Sequence, residues 1–342
     1  MTPTPFNRRR ALKTAAGALA AVAAPSIIRA QSASDFFKGK TLRIIISTSP
    51  GGGYDVRGRA LARHLGRFLP GNPAIVAENM PGGGSILAMN YTYNIAPKDG
   101  TVLCIFQRTV LTTPILAPNG VRFDLEKFGW IGSMGQDNGL LVSWHDSPIQ
   151  KTEDLFTKEM IVGTSAQTTM PLVLNSLIGT KMKIISGYPG SPEMQLAMQR
   201  GEIMGPGEWS WSDVKSSTVM REKKINLLLQ TGVARTPDLP NVPLALDFAR
   251  SPEDKKILEA FVSPRQIAYP IVAPPDVPSD RLAMLRDAFV AMGNSPEFKE
   301  DFAKAGIDIT LIPSAEVAGL VARNAAMPAP LVERMRALVA AN

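Results

Sequence analysis

Residues 41–47 read TLRIIIS, a short β-branched run that ends in the glycine turn Ser49, Pro50, Gly51, Gly52, Gly53, Tyr54, Asp55. A continuous apolar run of this length bounded by glycines predicts a strand buried on both faces, as in a parallel sheet. From Asp55, expected as the N-cap, Val56, Ala60, Leu61, Leu65, Phe68 and Leu69 recur at helical spacing until Pro70 and Gly71 break the pattern. The same strand, turn and helix follow at 74–77, at Pro81, Gly82, Gly83 and Gly84, and from Ser85 to about residue 96, and a third strand is predicted over 101–106.

Short strands are expected at 130–133 and 140–143 and a helix at 152–158. The run MIVG at 160–163 then opens a second series: strand, small-residue turn 164–169, helix 170–178, strand 184–187, helix 194–200, strand 225–230. Residues 267–273 read as a returning strand, 307–312 as strand-like, and the rest of the C-terminal quarter as helical, with Leu282, Leu285, Phe289 and Met292 on one face and Leu331, Met335 and Leu338 on another. Alternating strands and helices imply an α/β fold with mostly parallel sheets. The length fits two such units, with crossovers expected near Leu141 and Gln266.

Charge changes the picture at one end only. The 342 residues hold 37 Lys and Arg against 30 Asp and Glu, a formal +7. Arg8, Arg9, Arg10, Lys13 and Arg29 all lie in the first thirty residues, which contain no acid, so the remainder is near +2. A chain this close to neutral has no bulk electrostatic case for nucleic acid, whose phosphates need clustered cations. The cationic start, the Ala-rich stretch that follows and the small residues up to Ala30 read as an export signal over 1–30. Residues 7–13 (NRRRALK) resemble the twin-arginine box, and an uncleaved anchor is the alternative.

Catalytic chemistry is thin. Cys104 is the single cysteine and sits in an apolar run, so a buried inert thiol is expected; His64 and His145 have no partners at metal-ligand spacing. No G-x-S-x-G elbow and no anchored acid/base set occurs, and neither a metal nor a cofactor is expected. The two glycine clusters can offer amides and helix N-termini to an anion, or merely satisfy tight turns; their spacing completes neither G-x-G-x-x-G nor a phosphate loop. Asp55 reads as a cap rather than a catalytic acid. Arg108, just past the third strand, is placed either to pair with a ligand carboxylate or to form an ion pair. Glu208, Trp209 and Trp211 (GEWSW) either shape a pocket, with Glu208 receiving a ligand amine or hydroxyl, or pack a domain edge.

Taken in order, several segments resemble the Bug-type (TctC-like) extracytoplasmic solute receptors of tripartite tricarboxylate transporters. They are the strand 42–46 running into PGGGYD at 50–55, ENMPGGG at 78–84, APKDGT at 96–101, DLPNVP at 238–243 and APPDVP at 273–278. The sequence departs at 163–169 (GTSAQTT), where that family commonly has S-G-x-G-S-x-x-H, and at 205–210, where Glu208 stands near the family's acidic position.

The resemblance implies a two-lobed, type II-like periplasmic binding protein with ligand in the interdomain cleft. Lobe 1 is expected over 31–140 and 266–342, and lobe 2 over 141–265. It implies a non-enzymatic, monomeric receptor that closes on a small carboxylate and delivers it to membrane components of the transporter. The expected contacts are Ser49, Pro50, Gly51, Gly52, Gly53, Tyr54, Asp55, Gly84, Ser85 and Arg108 from one lobe. From the other come Thr164, Ser165, Ala166, Gln167, Thr168, Thr169, Glu208 and Trp209. An exported cofactor-dependent enzyme and a sensor that presents its ligand to a signalling receptor are the alternatives.

Overall fold

The computed structural model describes residues 33–164, 169–188, 190–305, 307 and 309–340. The proposed export signal lies outside these residues, as do Ser165, Ala166, Gln167 and Thr168. No helix among the described residues is long and apolar enough to cross a membrane.

Six strands form the first sheet, in the order β12-β4-β11-β3-β1-β2: β1 Thr41–Ile46, β2 Ala74–Asn79, β3 Val102–Ile105, β4 Gly129–Ser133, β11 Pro270–Ala273 and β12 Ile312–Pro313. Its central strands alternate between two cores. Ile44, Ile46, Leu103, Ile105 and Ile271 face one, while Ile45, Val102, Cys104, Trp130 and Val272 face the other. Both faces are therefore covered, which is why 41–47 reads as unbroken apolar sequence. Helix α1 (Gly53–His64) lies close to this sheet at Gly58, where a Cβ would fall 2.6 Å from the Ile46 side chain.

The second lobe has two three-stranded sheets. One, ordered β10-β5-β9, holds β5 Gly139–Trp144, β9 Trp209–Ser210 and β10 Ile225–Thr231; the other, β7-β6-β8, holds β6 Met160–Thr164, β7 Met182–Ser186 and β8 Gly205–Pro206. Helices α3 (Thr169–Leu177) and α5 (Pro252–Val262) pack together over a core containing Leu141, Val162, Leu174, Leu229 and Leu258.

The expectation of mostly parallel sheets holds in part. β1, β2 and β3 run parallel, as do β6, β7 and β8, but β11 is antiparallel to both β3 and β4, and the β10-β5-β9 sheet is antiparallel throughout. The reason is the crossover: β4 carries the chain out of the first lobe and β11 carries it back, so adjacent strands must run oppositely. The returning segment begins as a 3-10 turn (Ser263–Ile267) before β11, and the strand-like stretch 307–312 contributes only β12, while Ile307, Ile309 and Leu311 pack on the first core.

The C-terminal helices divide between the lobes. α8 (Ser314–Ala325) buries Val317, Leu320 and Val321 against the first sheet. α9 (Ala329–Ala340), which the sequence groups with lobe 1, instead buries Met335 in the second core, with Leu331, Leu338 and Val339 packed beside it. An apolar stripe specifies that a helix is buried, not which core receives it.

Candidate functional site

The connections between β4 and β5 and between α5 and β11 are bonded to each other. Asp137 N–H donates to the Arg265 carbonyl at 2.9 Å, Ala268 N–H to Gly135 at 2.9 Å and Met134 N–H to Tyr269 at 3.1 Å. Beside these paired segments a cavity of about 390 Å³ opens between the lobes. Lobe 1 supplies Gly83, Gly84, Arg108, Thr109, Thr112 and Thr113; lobe 2 supplies Gly163, Thr164, Thr169, Glu208, Trp209 and Ser210. Arg265 comes from the returning connecting segment and Val339 from α9.

On the lobe 1 side, Gly82, Gly83, Gly84 and Ser85 all have positive φ, at 151°, 55°, 61° and 84°, immediately before α2 (Ile86–Asn94). The turn closes on itself, with the Ser85 and Leu87 amides donating to the Gly82 carbonyl and the Ile86 amide to Gly83, and the helix N-terminus adds positive potential beside it. Ser85 is buried and used structurally: its hydroxyl donates to Ser47 Oγ at 2.8 Å and accepts from Gln107 N–H at 3.2 Å. Arg108 follows β3, its backbone N–H held by the Tyr54 hydroxyl at 3.1 Å, which in turn donates to the Ala268 carbonyl. Burial acts to lower the Arg108 pKa, but Tyr54, Asp137, Tyr269 and Asp213 outweigh it and the pKa is raised, so its positive charge is secure.

The 49–55 loop stands at the carboxyl end of β1, with Ser49 to Gly53 exposed and outside the set of residues that line the cavity. Gly52, not Asp55, is the N-cap of α1. Asp55 sits in the first turn and reaches back, accepting from Gly51 N–H at 2.9 Å, from Arg59 Nε at 3.0 Å and from Asn79 Nδ2 at 2.8 Å. Asn79 also donates to the Thr48 carbonyl, so the glycine loop is tied to β2 as well as to its own helix.

On the lobe 2 side Glu208 is fully engaged: Thr231 Oγ1 donates to one carboxylate oxygen and Arg265 Nη2 to the other. Arg265 is buried and Glu208 partly so, and Gly139 packs against them so closely that a Cβ there would collide with both Thr231 and Glu208. Arg265 is pulled down to about 9, first by burial and then by the Arg108 charge; it remains a cation at neutral pH. Among the described residues, three buried polar atoms belonging to residues of the cavity lining have no partner: Thr164 Oγ1, Trp209 Nε1 and Arg265 Nη1. Trp211, by contrast, donates to Asp238 at 3.0 Å outside the cleft.

Residues 58–336 match the model of the tripartite tricarboxylate transporter family receptor, TctC. The chain belongs to this family. A curated relative of this receptor, the UPF0065 protein in the gbd 5' region of Cupriavidus necator, is 26% identical, with 96% of this chain and 97% of the relative aligned. Among solved structures, a ligand-free TctC solute-binding protein from Polaromonas superposes with a TM-score of 0.67 at 17% identity, covering 88% of this receptor and 98% of that chain. MatC from Rhodopseudomonas palustris, with bound malate, gives 0.62 at 18% identity, covering 87% and 98%. At these identities the likeness speaks for the two-lobed α/β fold.

Of the residues the sequence points to, the receptor's cleft collects Gly84, Arg108, Thr164, Thr169, Glu208 and Trp209 on its walls. Sequence reading missed Arg265, Arg57 and Tyr269. Arg57, buried, lies 3.5 Å over the Tyr269 ring, and Tyr269 meets Tyr54 in a tilted pair with centroids 4.9 Å apart; Arg57 and Tyr269 stand behind Arg108 rather than on the cavity lining. Nothing local marks Arg265 as a cleft residue, because its place depends on the pairing of two segments about 130 positions apart.

Proposed function

We propose that this chain is a periplasmic solute receptor that captures a small carboxylate-containing molecule by closing its lobes and hands it to the membrane components of a tripartite transporter. The observation that carries this reading is the interlobe cavity, lined by Gly83 and Gly84 beside a helix N-terminus and by the cationic Arg108, within a TctC-family fold. Amides and a guanidinium suit a carboxylate, and water between ligand and the 49–55 loop extends the contact, as the family resemblance implies. Thr164 and Thr169, with 165–168 between them, close from the second lobe. The hinge is assigned to 134–138 and 263–269. The bound malate of MatC supports an organic acid as ligand class. The basic leader supports export, and the twin-arginine-like box the route. A receptor of this kind needs neither cofactor nor covalent chemistry and is expected to act as a monomer.

A thermal-shift screen of small mono-, di- and tricarboxylates tests it. At a hundred times its Kd a ligand stabilises the folded state by about 2.7 kcal/mol, which raises Tm by several degrees. The stabilising acid should be recovered chemically unchanged. If no acid stabilises the protein, or if the acid is turned over, the reading fails.

A further inference from the structure

Resting on that reading, we propose that one end of the cleft is an apolar subsite, walled by Leu116, Met170, Phe261 and Val339, and that the receptor takes monocarboxylic acids with a branched or aromatic body. All four residues line the same cavity as Arg108. They also form one apolar cluster: Phe261 is part of the second core, and Leu116, Met170 and Val339 pack against that core. These last three are only partly buried and keep apolar surface at the cavity wall, and the exposed Ala117 extends it. Apolar surface left open in a cleft favours a ligand that covers it, and Phe261 and Met170 suit a ring or a branched chain.

Chain order gives the cavity its direction. One wall presents Arg108, then Thr109, Thr112 and Thr113, then Leu116 and Ala117, so it grades from cationic through hydroxyl-bearing to apolar. Helical turns rise about 1.5–2 Å per residue, which separates the Arg108 and Leu116 backbones by roughly 12 Å. The apolar end is closed by α9, which packs against both Thr113–Leu116 and α3, with Arg336 Nε donating to the Ile115 carbonyl at 2.7 Å. Among the described residues the lining has three charged side chains, and two of them, Glu208 and Arg265, are paired with each other. The third, Arg108, feels Asp137 and Asp213 through their fields rather than through a hydrogen bond, so its guanidinium can anchor a carboxylate. One anchor and an apolar far end call for an acid charged at one end only, because a second charge there would be buried without a partner.

Calorimetric titration of the chain with straight-chain monocarboxylates from butanoate to octanoate, with phenylpropanoate and with the dicarboxylates of matching length reads this out. Affinity for the monocarboxylates should rise about 3- to 4-fold with each methylene until the subsite is full, and phenylpropanoate should bind at least about 10-fold tighter than butanoate. The octanoate-length dicarboxylate should bind at least about 10-fold more weakly than octanoate. Val339→Phe, which fills the apolar end, should cut the ratio of octanoate to butanoate affinity at least about 10-fold. Val339→Thr, close in shape but polar, should cut that ratio about 3-fold. Affinity that is flat or falls with chain length, dicarboxylates that bind tighter than their monocarboxylate counterparts, or a ratio unchanged in both variants would each overturn the apolar subsite while leaving the carboxylate receptor standing. If Val339→Phe does not fold, Val339→Thr and the wild-type series decide. Binding of none of these acids overturns the subsite; stabilisation by no acid in the thermal-shift screen overturns the receptor reading as well.

Discussion

Asp55 shows how a residue can be read correctly for its consequence and incorrectly for its position. A carboxylate just past a glycine turn suggests an N-cap, and the cap is Gly52, yet Asp55 still pins the loop by accepting from the Gly51 amide. Burial alone pushes its carboxyl up, but the bonds from Arg59, Gly51 and Asn79 prevail and hold it below its ordinary value. A depressed folded-state pKa adds stability that is present above the unfolded value and is lost as pH falls through the folded one. Asp55→Asn is therefore expected to lower stability by about 1–3 kcal/mol at pH 7, with the gap to wild type closing below about pH 4. Urea unfolding at both pH values checks this; a gap that stays constant would mean that the charge does not hold the loop. Cys104, read as an inert thiol from its apolar run, is buried and pushed up to about 12 by that burial. The GEWSW patch was distinctive in the sequence because tryptophan is scarce there, but that Glu208 is paired with Arg265 is a property of the fold.

At the scale of elements, strands buried on both faces and helices opening after glycine turns were legible, since each follows from local periodicity and turn chemistry. Orientation was not. The antiparallel seam of β11 against β3 and β4 depends on the chain leaving and returning, which no window of residues records. The assignment of α9 is the sharper case. Its Leu331, Met335 and Leu338 stripe was visible, but the core it enters belongs to the second lobe, and Arg334 fastens it there through Glu253 and Asp254. Met335 is completely buried, so Met335→Ala should destabilise the protein by about 2–5 kcal/mol. Chemical denaturation measures it, and a loss below about 0.5 kcal/mol, the range of surface substitutions, would show that α9 is not part of that core.

For the molecule as a whole, three connections rather than two link the lobes: the paired hinge segments and the turn between α8 and α9. The paired segments bond to each other through backbone groups, so the closure proposed above would bend both together, and α9, which packs on the second core, is also tied to the first lobe by Arg336 Nε donating to the Ile115 carbonyl at 2.7 Å. Saturating a ligand identified by thermal shift should reduce the radius of gyration in small-angle X-ray scattering; an unchanged profile with ligand bound would mean that capture proceeds without hinge motion. The sequence by itself determined the α/β class, the division of charge between the basic first thirty residues and a near-neutral remainder, and the family, because these rest on local pattern, composition and ordered motifs. Tertiary structure decided where the pieces meet. Only the fold sets Arg265 beside Glu208 and brings Thr164 and Trp209 to the cavity that Gly84 and Arg108 line from the other side. A site assembled from two lobes and a hinge is a long-range arrangement, and long-range proximity is what a linear reading of spacing and periodicity does not contain.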